Sequence, residues 1–174
     1  MTPMSDATLK VVIDALTRLK QPGRGFYQLD EDALFVPVGI YAADRRFFSS
    51  IESEHVRLDC DKNGELLFIE ITLPRKLWRV DGALTPPTHA GAADIRWLDF
   101  RAQIPNPSVL TDDKRSLACI RFTEEKPATA YQLAEAVFAE VTKGLRVCRI
   151  WITNIVDDIA GKEISAFRRH QSAP

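Results

Sequence analysis

Cysteine and histidine are scarce in this 174-residue chain, with three of each. Cys60, Cys119 and Cys148 are an odd number at wide spacings, which excludes a disulfide framework; they read as reduced, buried thiols of a cytoplasmic protein. Cys148 stands between Arg146 and Arg149, but strand alternation puts only Arg146 on its face, so an inert core thiol is expected rather than an activated one. His55, His89 and His170 lie far apart, each without a second ligand at metal spacing, so no zinc site is expected.

Charge of one sign is lacking too. Lys plus Arg number 23 against 24 Asp plus Glu, a net charge of -1, which supplies no field for gathering nucleic acid or an anionic membrane. No run approaches the roughly 18 apolar residues of a spanning helix. The opening MTPMSDATLK has no basic segment leading into an apolar one, so a secretory signal is not expected. Repeats, heptads and low-complexity blocks are likewise missing. Neither a membrane nor a nucleic acid is expected as a partner, and no cofactor or metal is expected.

What is present is a composition, 45% hydrophobic and 27% charged, that suits one domain over residues 1–174. The Pro/Gly/Ala-rich loop at 84–93 is its weak boundary. Leu9, Val12, Ile13, Leu16 and Leu19 recur at helical spacing and predict an N-terminal amphipathic helix, capped by Ser5 or Asp6 and stopped at 21–25. Two short strands follow around 30–32, with Pro37 confining the second to an edge or bulge; residues 42–51 are ambiguous between a helical turn and a loop. Leu98, Phe100, Ala102 and Ile104 alternate as one strand, and Ala118, Ile120 and Phe122 as another. Residues 129–144 predict a helix with Leu133, Val137, Phe138 and Val141 as its apolar stripe. An apolar strand over 145–155 and a short terminal helix over 157–170 complete an expected α+β fold, a mainly antiparallel sheet packed against N-terminal and C-terminal helices.

The most specific motif is DCDKNGELLFIE at 59–70, which places Asp59, Asp61, Asn63, Gly64 and Glu70 at the spacing of an EF-hand calcium loop. Its flanks decide against that chemistry. EHVRLDC before it alternates with period two, and LLFIEITL after it is rich in β-formers and meets Pro74. Folded as a hairpin with Asn63-Gly64 at a two-residue turn, the segment pairs Cys60 with Leu67, Leu58 with Ile69 and Val56 with Ile71 on one apolar face. Arg57 then faces Glu70, the residue a calcium loop needs as its bidentate ligand.

Candidate binding residues are the cation-and-aromatic cluster Arg75, Lys76, Trp78 and Arg79, able to stack or hold phosphate, and His89 on the exposed loop. Against these stand a solvated strand end, with Trp78 covering the core, and a merely solvated histidine. FRRHQ at 167–171 reads as a helix end, Asp112-Asp113 and Asp157-Asp158 as turns and helix starts, and AGKEIS lacks the glycine and hydroxyl of a phosphate loop.

The expected function is therefore a non-catalytic binding or accessory protein acting through protein-protein or small-ligand contacts. Its partner is itself, as a homo-oligomer whose commonest form is a two-fold dimer, or another protein. The alternative is a carboxylate-based, metal-dependent hydrolase using Asp59, Asp61 and Glu70, which requires those oxygens to converge on a cleft.

Overall fold

The computed structural model describes residues 5–19, 21–39 and 46–172. In chain order its strands are β1 (Ser5–Asp6), β2 (Val11–Ala15), β3 (Phe26–Gln28), β4 (Ala33–Pro37), β5 (Ser49–Glu52), β6 (Val56–Cys60), β7 (Leu66–Ile71) and β8 (Arg79–Val80). They continue with β9 (Gly91–Trp97), β10 (Ala102–Gln103), β11 (Ser108–Thr111), β12 (Ala118–Arg121), β13 (Thr129–Ala134), β14 (Val137–Val141), β15 (Val147–Ile152) and β16 (Val156–Asp158). Helix α1 (Lys162–Ser172) is the last element among the described residues.

Among the described residues the strands form two eight-stranded sheets, β1-β10-β5-β6-β7-β4-β3-β16 and β2-β9-β13-β14-β15-β12-β11-β8. Both mix parallel and antiparallel pairs: β5, β10 and β1 run parallel, while β5-β6-β7-β4-β3 is an antiparallel run. One apolar core draws on the inner faces of both, with Leu34, Leu58 and Ile69 from the first sheet and Ile120, Val137 and Ile150 from the second.

This corrects the expected α+β architecture. With 46% strand and 8% helix, the protein is mostly β, and among the described residues its single α-helix is the C-terminal α1. The predicted N-terminal helix is strand β2, paired antiparallel with β9 from Val11↔Trp97 to Ala15↔Ala93. Val11-Val12-Ile13 is a β-branched run that suits a pleated surface. The Asp99 carboxylate accepts hydrogen bonds from the Thr8 and Leu9 amides, both at 2.7 Å, and holds the approach to β2. The predicted helix at 129–144 is the β13–β14 hairpin. In β14 Val137, Ala139 and Val141 are buried while Phe138 and Glu140 point away, a period of two.

Three smaller expectations also change. The loop at 84–93 gives way to β9 at Gly91. Leu98 and Phe100 leave the sheet and stand 61% and 52% exposed, whereas Ala102 and Ile104 are buried as expected. Pro37 lies within interior strand β4, not at an edge. The Val38 amide donates to Leu67 of β7, so alternation turns the imide nitrogen of Pro37 toward the irregular segment 22–25, where no ladder bond is forfeited. Of the ambiguous stretch 42–51, residues 42–45 lie outside the described residues and 49–51 belong to β5.

The hairpin at 56–71 forms as expected, with Val56↔Ile71, Arg57↔Glu70 and Leu58↔Ile69 in register. Its tip differs by one residue. Gly64 donates to the Asp61 carbonyl and Asp61 to the Glu65 carbonyl, so Lys62-Asn63 make the turn and Gly64, at φ 81°, is the left-handed residue of a bulge. Cys60 consequently pairs with Leu66, not Leu67. The same arrangement recurs at 142–146, where the Leu145 amide donates to Thr142, Thr142 to Arg146, and Leu145 takes φ 60°.

Candidate functional site: the outer face of the first sheet

Alternation along β6, β7 and β4 sends Leu58, Ile69 and Leu34 into the core and Asp59, Phe68 and Phe35 to the opposite face. Helix α1 covers one end of that outer face, with Phe167 against Phe26 at 5.3 Å between ring centroids. Beyond it Phe35, Phe68 and Phe47 follow one another at 5.6 and 6.2 Å. At the far end a groove of about 330 Å³ is lined by Phe47, Phe48, Ser50, Glu52, Arg57, Asp59 and Arg101. Phe47 is 61% exposed and Phe48 and Phe100 52% each. Phe48 and Phe100 pack at 5.5 Å, and the Arg101 guanidinium lies 5.2 Å above the Phe100 ring.

The parallel β5–β10 pair assembles this groove by setting Ile51 beside Ala102. The Arg101 amide then donates to the Ser49 hydroxyl at 3.0 Å, which fixes the loop carrying Phe100 against the segment carrying Phe48. On the floor, Nε of Arg57 donates to Oδ1 of Asp59 at 2.9 Å. Burial pushes the Asp59 carboxyl above its usual range, and the Arg57 hydrogen bond only partly draws it back. The outer face of the second sheet is closed by contrast, since Cys119, Trp151 and Leu110 are buried there with Leu84 and Phe138 packed on them.

The carboxylates of the calcium-like motif do not converge. Asp59 is paired with Arg57. Oδ1 of Asp61 accepts the amides of Asn63 and Glu65, at 2.8 and 3.0 Å, and serves the turn. Glu70 faces Arg57 across the strands. Among the described residues no three metal-ligating side chains are grouped to hold an ion. The tip itself is tied to the other sheet, because the Trp97 amide donates to the Gly64 carbonyl at 2.8 Å. Calorimetric titration with calcium is expected to show no saturable heat in the micromolar range. A stoichiometric event abolished by Glu70→Gln would contradict this reading of the loop.

The residues picked out for binding occupy other places. Trp78 is 2% exposed, with its indole donating to the Leu73 carbonyl at 2.9 Å, so it is a core residue and not a stacking platform. Arg75, in a short 3-10 turn at Arg75–Leu77, binds Asp157 at 2.7 Å and covers the Tyr27 ring at 4.2 Å. It packs on the adjacent strands β3 and β16, where Tyr27 and Asp157 are paired, and does not line the groove. Lys76, Arg79 and His89 are solvent-exposed and do not line the groove. The three cysteines are buried and unpaired, and burial pushes Cys60 and Cys119 up to about 12 and Cys148 upward as well. The signal for the groove in the sequence is the Phe47-Phe48 pair between Arg46 and Ser49, but its partners Phe100 and Arg101 are about fifty residues away.

Among the described residues no helix is long and apolar enough to cross a membrane. A scan against protein-family models finds no match to this chain, and a search of curated proteins finds none either.

Proposed function

We propose that this is a cytoplasmic, non-catalytic binding protein that associates with a second copy of itself through the aromatic groove on the outer face of its first sheet. The observation that carries the reading is the grouping of Phe47, Phe48 and Phe100, each more than half exposed, beside a groove floored by an ion pair. Contiguous exposed aromatics cost solubility and mark surfaces that are covered in use. A second copy fits the charges. A two-fold interface must be self-complementary, and the groove lining carries cations, Arg57 and Arg101, beside an anion, Glu52. Arg101 of one copy can thus meet Glu52 of the other, while the net charge of -1 sets up little repulsion.

The hydrolase alternative has no such support. Asp59 sits in the groove, but a bound guanidinium occupies it; Asp61 accepts the amides of its own turn, and Glu70 does not line the groove. The test is a double substitution, Phe48→Glu with Phe100→Glu, followed by sedimentation velocity. Both side chains are exposed, so the circular dichroism of the variant should match the parent. Its dimer boundary should vanish. A dimer that survives unchanged, or activity in a broad hydrolase screen that Asp59→Asn removes, would contradict the proposal.

A further inference from the structure

We infer that a second cavity on the same face, between α1 and the first sheet, receives a guanidinium-bearing ligand on a flexible stem, and that Arg168 stands in for that ligand in the unliganded protein. The cavity holds about 370 Å³, within the range of small-molecule sites. Phe35 and Phe68, half-buried and 5.6 Å apart, form its floor. Asp30, Glu31 and Glu70 contribute three carboxylates to the lining against one cation, Arg168.

The guanidinium of Arg168 lies 5.9 Å from the Phe68 centroid, near the outer limit of a cation–π contact. A guanidinium is therefore compatible with this floor in the protein's own structure, yet held loosely, from an exposed position on the helix. Asp30 accepts the Ala160 amide at 3.2 Å, Glu70 lies opposite Arg57 in the strand register, and Glu31 is exposed. An incoming cation would add charge that Arg168 alone does not supply. A planar, weakly hydrated guanidinium suits an aromatic floor with carboxylates at the rim better than a metal ion, which would need oxygen ligands from the floor as well. Ile164 adds apolar surface for the stem.

The probe is agmatine, a guanidinium on an aliphatic stem without a carboxylate, titrated into isotopically labelled full-length protein and followed by amide shifts. Saturable shifts are expected at Phe35, Phe68 and the start of α1. Arg168→Ala keeps a strong helix former on an exposed position and should tighten binding roughly threefold by removing the resident cation. Phe68→Leu in that background should remove the gain. No saturable shift in either protein, equal or weaker binding by Arg168→Ala, or shifts scattered over every acidic surface would each overturn the inference. Because this cavity lies apart from the Phe48–Phe100 groove, failure here would leave the self-association result standing.

Discussion

Gly64→Ala is expected to lower the melting temperature by roughly 10 °C, although it adds one methyl group at a hairpin tip. Two effects combine. The residue holds φ 81°, where an L side chain meets its own backbone at a cost of about 1–2 kcal/mol. An alanine Cβ there would also clash with the Trp97 carbonyl oxygen and lie 3.1 Å from its nitrogen. Those are backbone atoms of β9 and cannot rotate away, so strain of about 1–3 kcal/mol is added. The bond from the Trp97 amide to the Gly64 carbonyl would be stretched, loosening a contact between the sheets. Thermal unfolding followed by circular dichroism checks this; a shift under about 2 °C would mean that the tip does not seat against β9.

Asp158→Ala should cost about 3 kcal/mol and detach α1. The carboxylate is fully buried and accepts the Glu163 amide at 2.8 Å, the Ile164 amide at 3.2 Å and the Gln28 side chain at 2.7 Å. It therefore ties the first turn of the helix to β3 and β16, and removing it leaves buried donors unpaired. Burial alone would raise its pKa, but the Glu163 amide, the Gln28 side chain and the Ile164 and Lys162 amides together hold it below the ordinary carboxylate range. A lowered folded pKa gives stability that is fully present above the unfolded value and lost as pH falls through the folded one. The parent should thus lose stability below about pH 4, while Asp158→Ala should lack this component of the acid dependence. Denaturant unfolding at pH 7 and at pH 3 measures both effects. An equal stability gap at the two pH values would contradict the role assigned to Asp158.

The hairpin at 56–71 was legible because local signals agreed: alternation on both arms and Asn-Gly between them. Its bulge was not, since Asn63-Gly64 suits more than one turn and the choice rests on Asp61 accepting two amides and on the Trp97 contact. The helix expected at 129–144 failed for a reason visible in the spacing. Leu133, Val137 and Val141 are four residues apart, which places them on one face of a helix and equally on one face of a strand. Small Ala139, buried between Val137 and Val141, breaks the tie. At the N-terminus Val11 is 2% exposed and Val12 39%, the reverse of what the helical stripe required. Pairing with β9 overrode a pattern that was locally ambiguous. The aromatic groove was least legible of all, because its halves are brought together by the parallel β5–β10 pair, across about fifty residues of sequence.

The most direct test of the proposed self-association is multi-angle light scattering of the purified protein over a concentration series. Self-association through the groove predicts a mass rising to twice the 19.6 kDa of the chain, with the Phe48→Glu, Phe100→Glu protein remaining at the single-chain mass throughout. A parent protein that stays at 19.6 kDa at every concentration would contradict it.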